Sequence, residues 1–497
     1  LSSTRPESLP GTGVPPSTET LGAETCAEVA RLPEVFILED EQGKIIYAPL
    51  SCSVARVNDV TAELVYRFVY GDRSASGLGG GAGKSDGPVG GFDADPGFTA
   101  DEQAALNALR EHKFFDERPF PVQQGPFKPI QVTLFPTNRC NLRCLYCYAE
   151  AGEAGEPLVT LPLEAGKAAI DLVARNAVAT RAENEDACKN FLVSLHGNGE
   201  PFMAFDIVRQ LCFYAHERAE SLGIPVVLNT ATNGVLNEEQ LDFLVAYFDN
   251  VNISFDGLPD VQDAQRPLVG GRPSFSAVDR TLRRLDEAGK GYGIRATLTA
   301  KNVGRIREMA AFVAENYPSV SQLHLEPVWE CGRCVTSREE APAVDVFIAE
   351  YLAALAEQGD EGLHLVYSGA RQDIIGDSFC SVSSGSFTVV PTGDVTSCFE
   401  VSYASDPRSG RYFFGRWDPS CGEFVFDQGK LDALARLTVG NMAFCDDCFC
   451  RWHCAGDCAA KVLGLKDPAE HQGSDRCAIN RTLTLNQLQR RLDYRET

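Results

Sequence analysis

Three cysteines, Cys140, Cys144 and Cys147, stand in a C-x3-C-x2-C array at the end of an apolar segment, with Tyr146 just before the last of them. Thiolates at this spacing suit an iron–sulfur cluster, and a [4Fe-4S] cube has four corners to fill. Only three thiols lie together, followed by Tyr148-Ala149-Glu150, so the fourth iron is open to a small molecule. An open position on a metal centre marks chemistry rather than scaffolding. The plain alternative for such a triplet is a zinc knuckle.

Past the cysteines, His196-Gly197-Asn198-Gly199-Glu200-Pro201 ends a second apolar segment, Thr230-Ala231-Thr232-Asn233-Gly234 a third, and Ser254-Phe255-Asp256-Gly257 a fourth. In this order the motifs resemble the radical S-adenosylmethionine (SAM) superfamily, with Asn198 where that family typically has a glycine. The resemblance implies a [4Fe-4S] cluster on Cys140, Cys144 and Cys147 and S-adenosylmethionine on its open iron. Tyr146, Gly199, Glu200, Pro201, Asn233, Ser254, Asp256 and Arg295 would surround that cofactor. Glu200 would accept the ammonium of its methionine part, and Ser254 and Asp256 would lie near the ribose hydroxyls. Arg295 is a charge inside an apolar strand, which calls for a buried anion; the cofactor carboxylate is one candidate, a structural ion pair another. The chemistry implied is reductive cleavage of the sulfonium to a 5′-deoxyadenosyl radical, with electrons from an external low-potential donor of flavodoxin or ferredoxin type.

Downstream, the pattern Cys380-x12-Gly393-x4-Cys398 precedes Cys445-x2-Cys448-x5-Cys454-x3-Cys458 and then Cys477. Zinc ribbons also use C-x2-C pairs, but the seven cysteines in this order resemble the SPASM domain, which holds two auxiliary [4Fe-4S] clusters. That resemblance implies a distal cluster on Cys445, Cys448, Cys454 and Cys477 and a proximal one on Cys380, Cys398 and Cys458. The fourth proximal position is left to Cys331, Cys334, Cys421, Cys450 or substrate. Cys331-Gly332-Arg333-Cys334 also has the spacing of a metal pair.

Clusters near the substrate can take the electron that must leave when a substrate radical closes a new bond, so two of them favour an oxidative modification. SPASM relatives mostly act on peptides. The expected activity is maturation of a ribosomally synthesised peptide by thioether or carbon–carbon cross-linking. The sulfatase-maturing branch, which makes formylglycine, typically has an aspartate base directly after the second SPASM cysteine. Phe399 stands there instead, with Glu400 next, which lowers that alternative and makes Glu400 the candidate proton acceptor. A catalytically silent iron–sulfur peptide-binding protein is the remaining reading.

The elements that must position these residues are legible as periodicity. Apolar strands recur at Ile130–Phe135, Phe191–Leu195, Val226–Leu228, Val251–Phe255, Ile294–Leu298 and Leu323–Leu325, alternating with helical stretches near 164–176, 206–221, 238–247, 277–288, 303–316 and 343–357. Six β/α units predict an α/β fold, a partial (β/α)6 TIM-like barrel with its chemistry at the C-terminal strand ends. The predicted organisation is a disordered 1–30, an α+β module at 31–118 with a glycine-rich loop at 77–91, and the barrel at 119–335. A bridging helical region at 336–377, a SPASM domain at 378–480 and a C-terminal helix at 481–497 complete it. The 31–118 module loosely resembles leader-peptide recognition elements. Gly83-Lys84-Ser85 is not a P-loop, because Leu78 stands where its first glycine is required.

The 497 residues carry a formal charge of −24, which argues against a phosphate-backbone partner. No apolar run is long enough to span a bilayer. The 18 cysteines concentrate in metal-ligand spacings, which predicts a reducing, cytoplasmic setting.

Overall fold

The computed structural model describes residues 34–70, 97–116 and 127–496, apart from 154, 186–187, 360–361 and 384. The expectations for 1–30 and for the glycine-rich loop at 77–91, Gly83-Lys84-Ser85 included, fall outside these residues.

Near the N-terminus, β1 (Phe36–Asp40), β2 (Gly43–Ala48) and β3 (Ser53–Val57) form an antiparallel sheet in the order β1-β2-β3. The predicted hairpin is present; β3 adds a strand that the short Ser-Val-Ala-Arg-Val run does not advertise. Helices α1 (Asp59–Tyr70) and α2 (Ala100–Glu111) cover one face. Thr99 caps α2 in a capping box with Glu102, which satisfies two of the amides that a helix start leaves bare. Ile46, Leu64, Val65, Val69 and Leu106 close this small core. On the other face Ile45, Tyr47 and Val54 pack against Leu488 and Leu492 of the C-terminal helix, Arg476–Glu496.

The main sheet has six successive parallel strands: β4 (Gln131–Leu134), β5 (Phe191–Leu195), β6 (Val226–Thr232), β7 (Asn250–Ser254), β8 (Tyr292–Leu298) and β9 (Val320–Pro327). Between them run α3 (Leu163–Glu183), α4 (Phe205–Leu222), α5 (Glu238–Tyr247), α6 (Pro259–Gln265), α7 (Phe275–Glu287) and α8 (Ile306–Asn316). The short α6 is the one helix of this set that periodicity did not announce. After β9 come α9 (Arg333–Ser337), α10 (Val344–Gln358) and β10 (Leu365–Val366), which pairs parallel to β9.

At the other end, β11 (Ser386–Val389) lies parallel to β4, and β12 (Asp394–Thr396), β13 (Phe413–Asp418) and β14 (Glu423–Phe426) continue antiparallel. The whole sheet runs β10-β9-β8-β7-β6-β5-β4-β11-β12-β13-β14 and its ends do not pair. It is therefore an open, partial barrel, and the cysteine-rich C-terminal part is built onto its first strand. The C-terminal helix starts at Arg476 rather than 481, which places Cys477 in its first turn.

Alternation assigns the faces. Val251 and Ile253 of β7 and Ile294, Ala296 and Leu298 of β8 join Val278, Leu282, Met309 and Val313 of the helices in one core. Side chains of a strand point alternately to opposite faces, so Ser254, Arg295 and His324, adjacent in register, turn the other way, into the barrel interior.

Candidate functional site

The segment 140–147 has little secondary structure of its own and is held from outside. It runs beside residues 265–269, with Arg143 N–H on Pro267 O at 2.7 Å, Leu145 N–H on Gln265 O at 2.9 Å and Val269 N–H on Asn141 O at 3.0 Å. Arg333 donates to Cys144 O at 2.9 Å, its backbone N–H to Cys147 O at 3.0 Å, and Ser337 Oγ to Leu145 O at 2.5 Å. Gly332 lies at φ +56°, and a Cβ there would meet Tyr148 O and Cys147 O at 2.5 and 2.6 Å. Cys331-Gly332-Arg333-Cys334 is thus a backbone brace for the cysteine loop. Its two thiols diverge: Cys334 is buried and donates to Glu339 O at 2.9 Å, while Cys331 faces Glu400 and Lys461.

The second strand end is sutured to the same loop. Glu200 N–H donates to Arg139 O at 2.8 Å, and a Cβ on Gly199 would sit 2.4 Å from Thr137 O and 2.5 Å from Arg139 O. Only glycine allows that approach. Pro201 opens a single helical turn for which Glu200 is the cap.

The buried Glu200 carboxylate accepts from Thr232 Oγ1 at 2.7 Å, Asn233 N at 2.8 Å and Phe202 N at 3.2 Å. Of the roughly four lone-pair positions a carboxylate offers, three are taken, so Glu200 ties the second and third strand ends together and keeps one for a ligand. Burial pushes its carboxyl up to about 7 against those three hydrogen bonds. Asn233 reaches the loop as well, its side-chain amide 2.7 Å from Asn141 Oδ1 and 3.7 Å from Cys140 Sγ.

Two expected cofactor neighbours have surroundings of their own. Asp256, expected near the ribose, is fully buried and accepts three hydrogen bonds from the protein, from Tyr146 Oη at 2.5 Å, Gln265 Nε2 at 3.0 Å and Thr297 N at 3.0 Å, with the Arg266 guanidinium 3.1 Å away as an ion-pair partner. It anchors the cysteine loop through Tyr146, over whose ring Arg266 also lies at 5.2 Å. The Tyr146 hydroxyl is thereby committed to Asp256 too. Arg295 is expected to face an anion, the cofactor carboxylate or a structural partner. It is exposed in the barrel interior and forms no ion pair within 4 Å among the described residues. Its charge, after burial itself, helps to hold the neighbouring His196 ring at about 4, so that ring is neutral. Ser254 ends β7 half-buried on the same side.

Burial raises the Cys140 and Cys144 thiols to about 12. In that state they are protonated, and a bound metal must displace the protons.

The C-terminal cysteines separate into two groups. Cys445, Cys448, Cys450, Cys454 and Cys477 line one cavity, together with Asp457, Asn480 and Arg481. Asn480 Nδ2 donates to Cys454 Sγ at 3.0 Å, and Ser474 N–H to Cys477 Sγ at 3.4 Å. Cys398 and Cys458 lie near one another and near Cys380 and Glu400, and burial raises all three thiols. Glu400 Oε1 is 3.3 Å from Lys461 Nζ and Oε2 3.9 Å from the Arg408 guanidinium, with Oε2 buried and not hydrogen-bonded. Of the candidates for a fourth proximal ligand, Cys450 belongs to the other cavity, Cys421 is exposed in the β13–β14 turn and Cys334 is turned away. Cys331 alone shares the Glu400 neighbourhood.

Among the described residues no three His, Cys, Asp or Glu side chains converge closely enough to share one metal ion, and the cysteines are free thiols.

Residues 134–313 match the family model described as the radical SAM superfamily. The chain carries a radical SAM domain. It is 30% identical over 242 residues to Fe-coproporphyrin III synthase of Methanosarcina barkeri, covering 47% of this chain and 53% of that protein. It is 29% identical over 286 residues to the mycofactocin maturase MftC of Mycolicibacterium smegmatis, covering 56% and 66%. The matched regions therefore span about half to two thirds of these relatives. In three dimensions it is similar to native anSMEcpe with bound AdoMet, with a TM-score of 0.54 at 14% identity over 73% of this chain and 99% of that one. The likeness is one of fold. A radical SAM domain implies S-adenosylmethionine and a [4Fe-4S] cluster, which the Cys140, Cys144 and Cys147 loop suits. No helix among the described residues is long and apolar enough to cross a membrane.

Several residues that build the site carry no local signal. Gln265, Arg266, Arg333, Ser337, Lys461 and Asn480 sit in ordinary helix ends and loops, and only their convergence shows what they hold.

Proposed function

We propose that this protein is a peptide maturase that oxidatively modifies a ribosomally synthesised precursor, forming a thioether or carbon–carbon cross-link, in the cytoplasm and with an external low-potential electron donor. The observation that supports this most is the placement of Glu400. It lies between the Cys140–Cys147 loop, whose Tyr148 feels its charge, and the thiols of Cys380, Cys398 and Cys458. A substrate held there meets a radical source on one side and an electron acceptor on the other.

In this reading Cys140, Cys144 and Cys147 hold the first cluster, Cys445, Cys448, Cys454 and Cys477 the distal auxiliary one, and Cys380, Cys398 and Cys458 the proximal one. Gly199, Glu200, Pro201, Asn233 and Ser254 border S-adenosylmethionine, and Arg295 supplies an unpaired cation for its carboxylate. Bound there, the reduced cluster and S-adenosylmethionine supply a radical able to take hydrogen from an unactivated carbon.

The chain's own contribution is placement and proton handling. Asp256 and Arg333 fix the cysteine loop, so the reacting carbon is met at a set distance. Glu400, paired with Lys461 and near Arg408, is the carboxylate placed to accept the proton released when the substrate closes its bond. Phe399 packs edge-on against His196 with ring centroids 4.7 Å apart, which fills the place of an aspartate base and favours cross-linking over formylglycine formation. The 34–116 module, seated on the C-terminal helix, is suited to hold the precursor's leader.

Anaerobic reconstitution with iron and sulfide, then reduction in the presence of S-adenosylmethionine, should release 5′-deoxyadenosine, and Cys147→Ala should not. Equal release from both would remove the enzyme reading. Co-expression with the neighbouring short open reading frame should yield a peptide lighter by two hydrogens per cross-link. An unchanged mass, or turnover of a tetrapyrrole instead, would remove the peptide assignment.

A further inference from the structure

The distal cavity is lined by five cysteines, one more than a cube has corners. Three are individually fixed or set apart: Cys454 by Asn480 Nδ2, Cys477 by Ser474 N–H, and Cys445 in the turn Ala443–Cys445. The other two are not apart at all. Cys448 Sγ and Cys450 Sγ are 3.3 Å from each other. The corners of a cube point away from one another, so two sulfurs in contact cannot serve two corners; they address the same iron.

The chain path keeps both thiols on the cavity side. Phe449, the residue between them, packs against the Ile45, Tyr47, Val54, Leu488 and Leu492 cluster, while Cys448 and Cys450 both line the cavity. Just beyond, Trp452 Nε1 donates to the Glu34 carboxylate, Arg451 pairs with it at 3.2 Å, and the Tyr47 hydroxyl bonds the His453 ring. The N-terminal sheet thus grips the segment on both sides of Cys450, which is 2% exposed.

We propose that Cys448 and Cys450 are alternative thiolate ligands for one and the same iron of the distal cluster, so that either suffices to hold it. The inference rests on the distal cavity holding a [4Fe-4S] cluster. Cys450 is then neither a proximal ligand nor a bystander; it is a reserve ligand that lets the corner survive loss or oxidation of Cys448.

The test is iron and sulfide content after anaerobic reconstitution, with electron paramagnetic resonance of the reduced protein. Cys445→Ala, Cys454→Ala and Cys477→Ala should each lose about four irons per chain, the content of one cube. Cys448→Ala and Cys450→Ala should each keep the wild-type iron content, Cys448→Ala with altered g values, and the double variant should lose the cube. Cys448→Ser serves as a second single variant with smaller loss of volume. If Cys448→Ala and Cys448→Ser both lose about four irons, as Cys445→Ala does, Cys450 is only a hydrogen-bond donor and the proposal is overturned. If Cys445→Ala keeps the wild-type content, the distal cluster itself is absent, a separate failure that removes the underlying reading too.

Discussion

Replacing Asp256 with asparagine should release the cysteine loop from the barrel. Three donors, from Tyr146, Gln265 and Thr297, and the Arg266 guanidinium meet this one buried carboxylate. An amide keeps one acceptor oxygen, has no charge and presents an NH2 where two donors already point. The Arg266 side chain, 8% exposed, is left as an uncompensated cation. Removing one partner of a buried pair costs about 3–5 kcal/mol. Tyr146→Phe removes a single bond to a charged acceptor, about 1.5–3 kcal/mol, and leaves the Arg266 pair intact. Urea unfolding of the cluster-free protein should therefore rank wild type above Tyr146→Phe above Asp256→Asn, and reconstituted iron should fall in the same order. Asp256→Asn with Arg266→Met removes both charges and should recover a large part of the loss, because the orphaned cation is gone. An Asp256→Asn protein with the wild-type urea midpoint and full iron content would refute the anchoring role and return Asp256 to the ribose.

Gly199→Ala forces a methyl against two backbone oxygens of the segment preceding Cys140; overpacking of this kind costs about 1–3 kcal/mol, and iron retention at the first site should drop while the C-terminal sites reconstitute normally. Glu200 carries a pH signature: its folded value of about 7 lies above the ordinary 4.5, so between those values the folded chain binds more protons than the unfolded one, and cluster-free stability should fall by about 3 kcal/mol as pH rises through that window. Glu200→Gln should flatten the profile, and an unchanged slope would refute the assignment. Asp457→Asn removes one of the two carboxylates that pair with Arg476, Asp457 at 2.8 Å and Glu326 at 3.1 Å. The loss of an anion that also accepts from Cys458 N–H and Asn480 should raise the reduction potentials of the two proposed auxiliary clusters, read by redox titration under paramagnetic resonance.

Spacing within a few residues and periodicity within an element are local quantities, and the chain by itself determined what depends on them. The C-x3-C-x2-C triplet announces a cluster site because three thiols within seven positions of one another cannot be carried far apart. The six β/α units follow from apolar runs alternating with amphipathic helices, and the observed strands 191–195 and helix 238–247 match the pattern to the residue. Tertiary structure decided the roles of residues whose partners lie far off in sequence. Asp256 reads as a loop aspartate until Tyr146, 110 positions away, arrives at its oxygen. Arg295 reads as buried because its strand is apolar, and the open face of an unclosed barrel leaves it exposed. The same holds for Cys331, Cys421 and Cys450, which are equivalent as letters and are carried by the fold to the neighbourhood of the Glu400 ion pairs, a surface turn and a crowded cavity. A carboxylate, guanidinium or thiol can serve as ligand, brace or bystander with equal chemistry, and only the groups that folding sets around it choose among them.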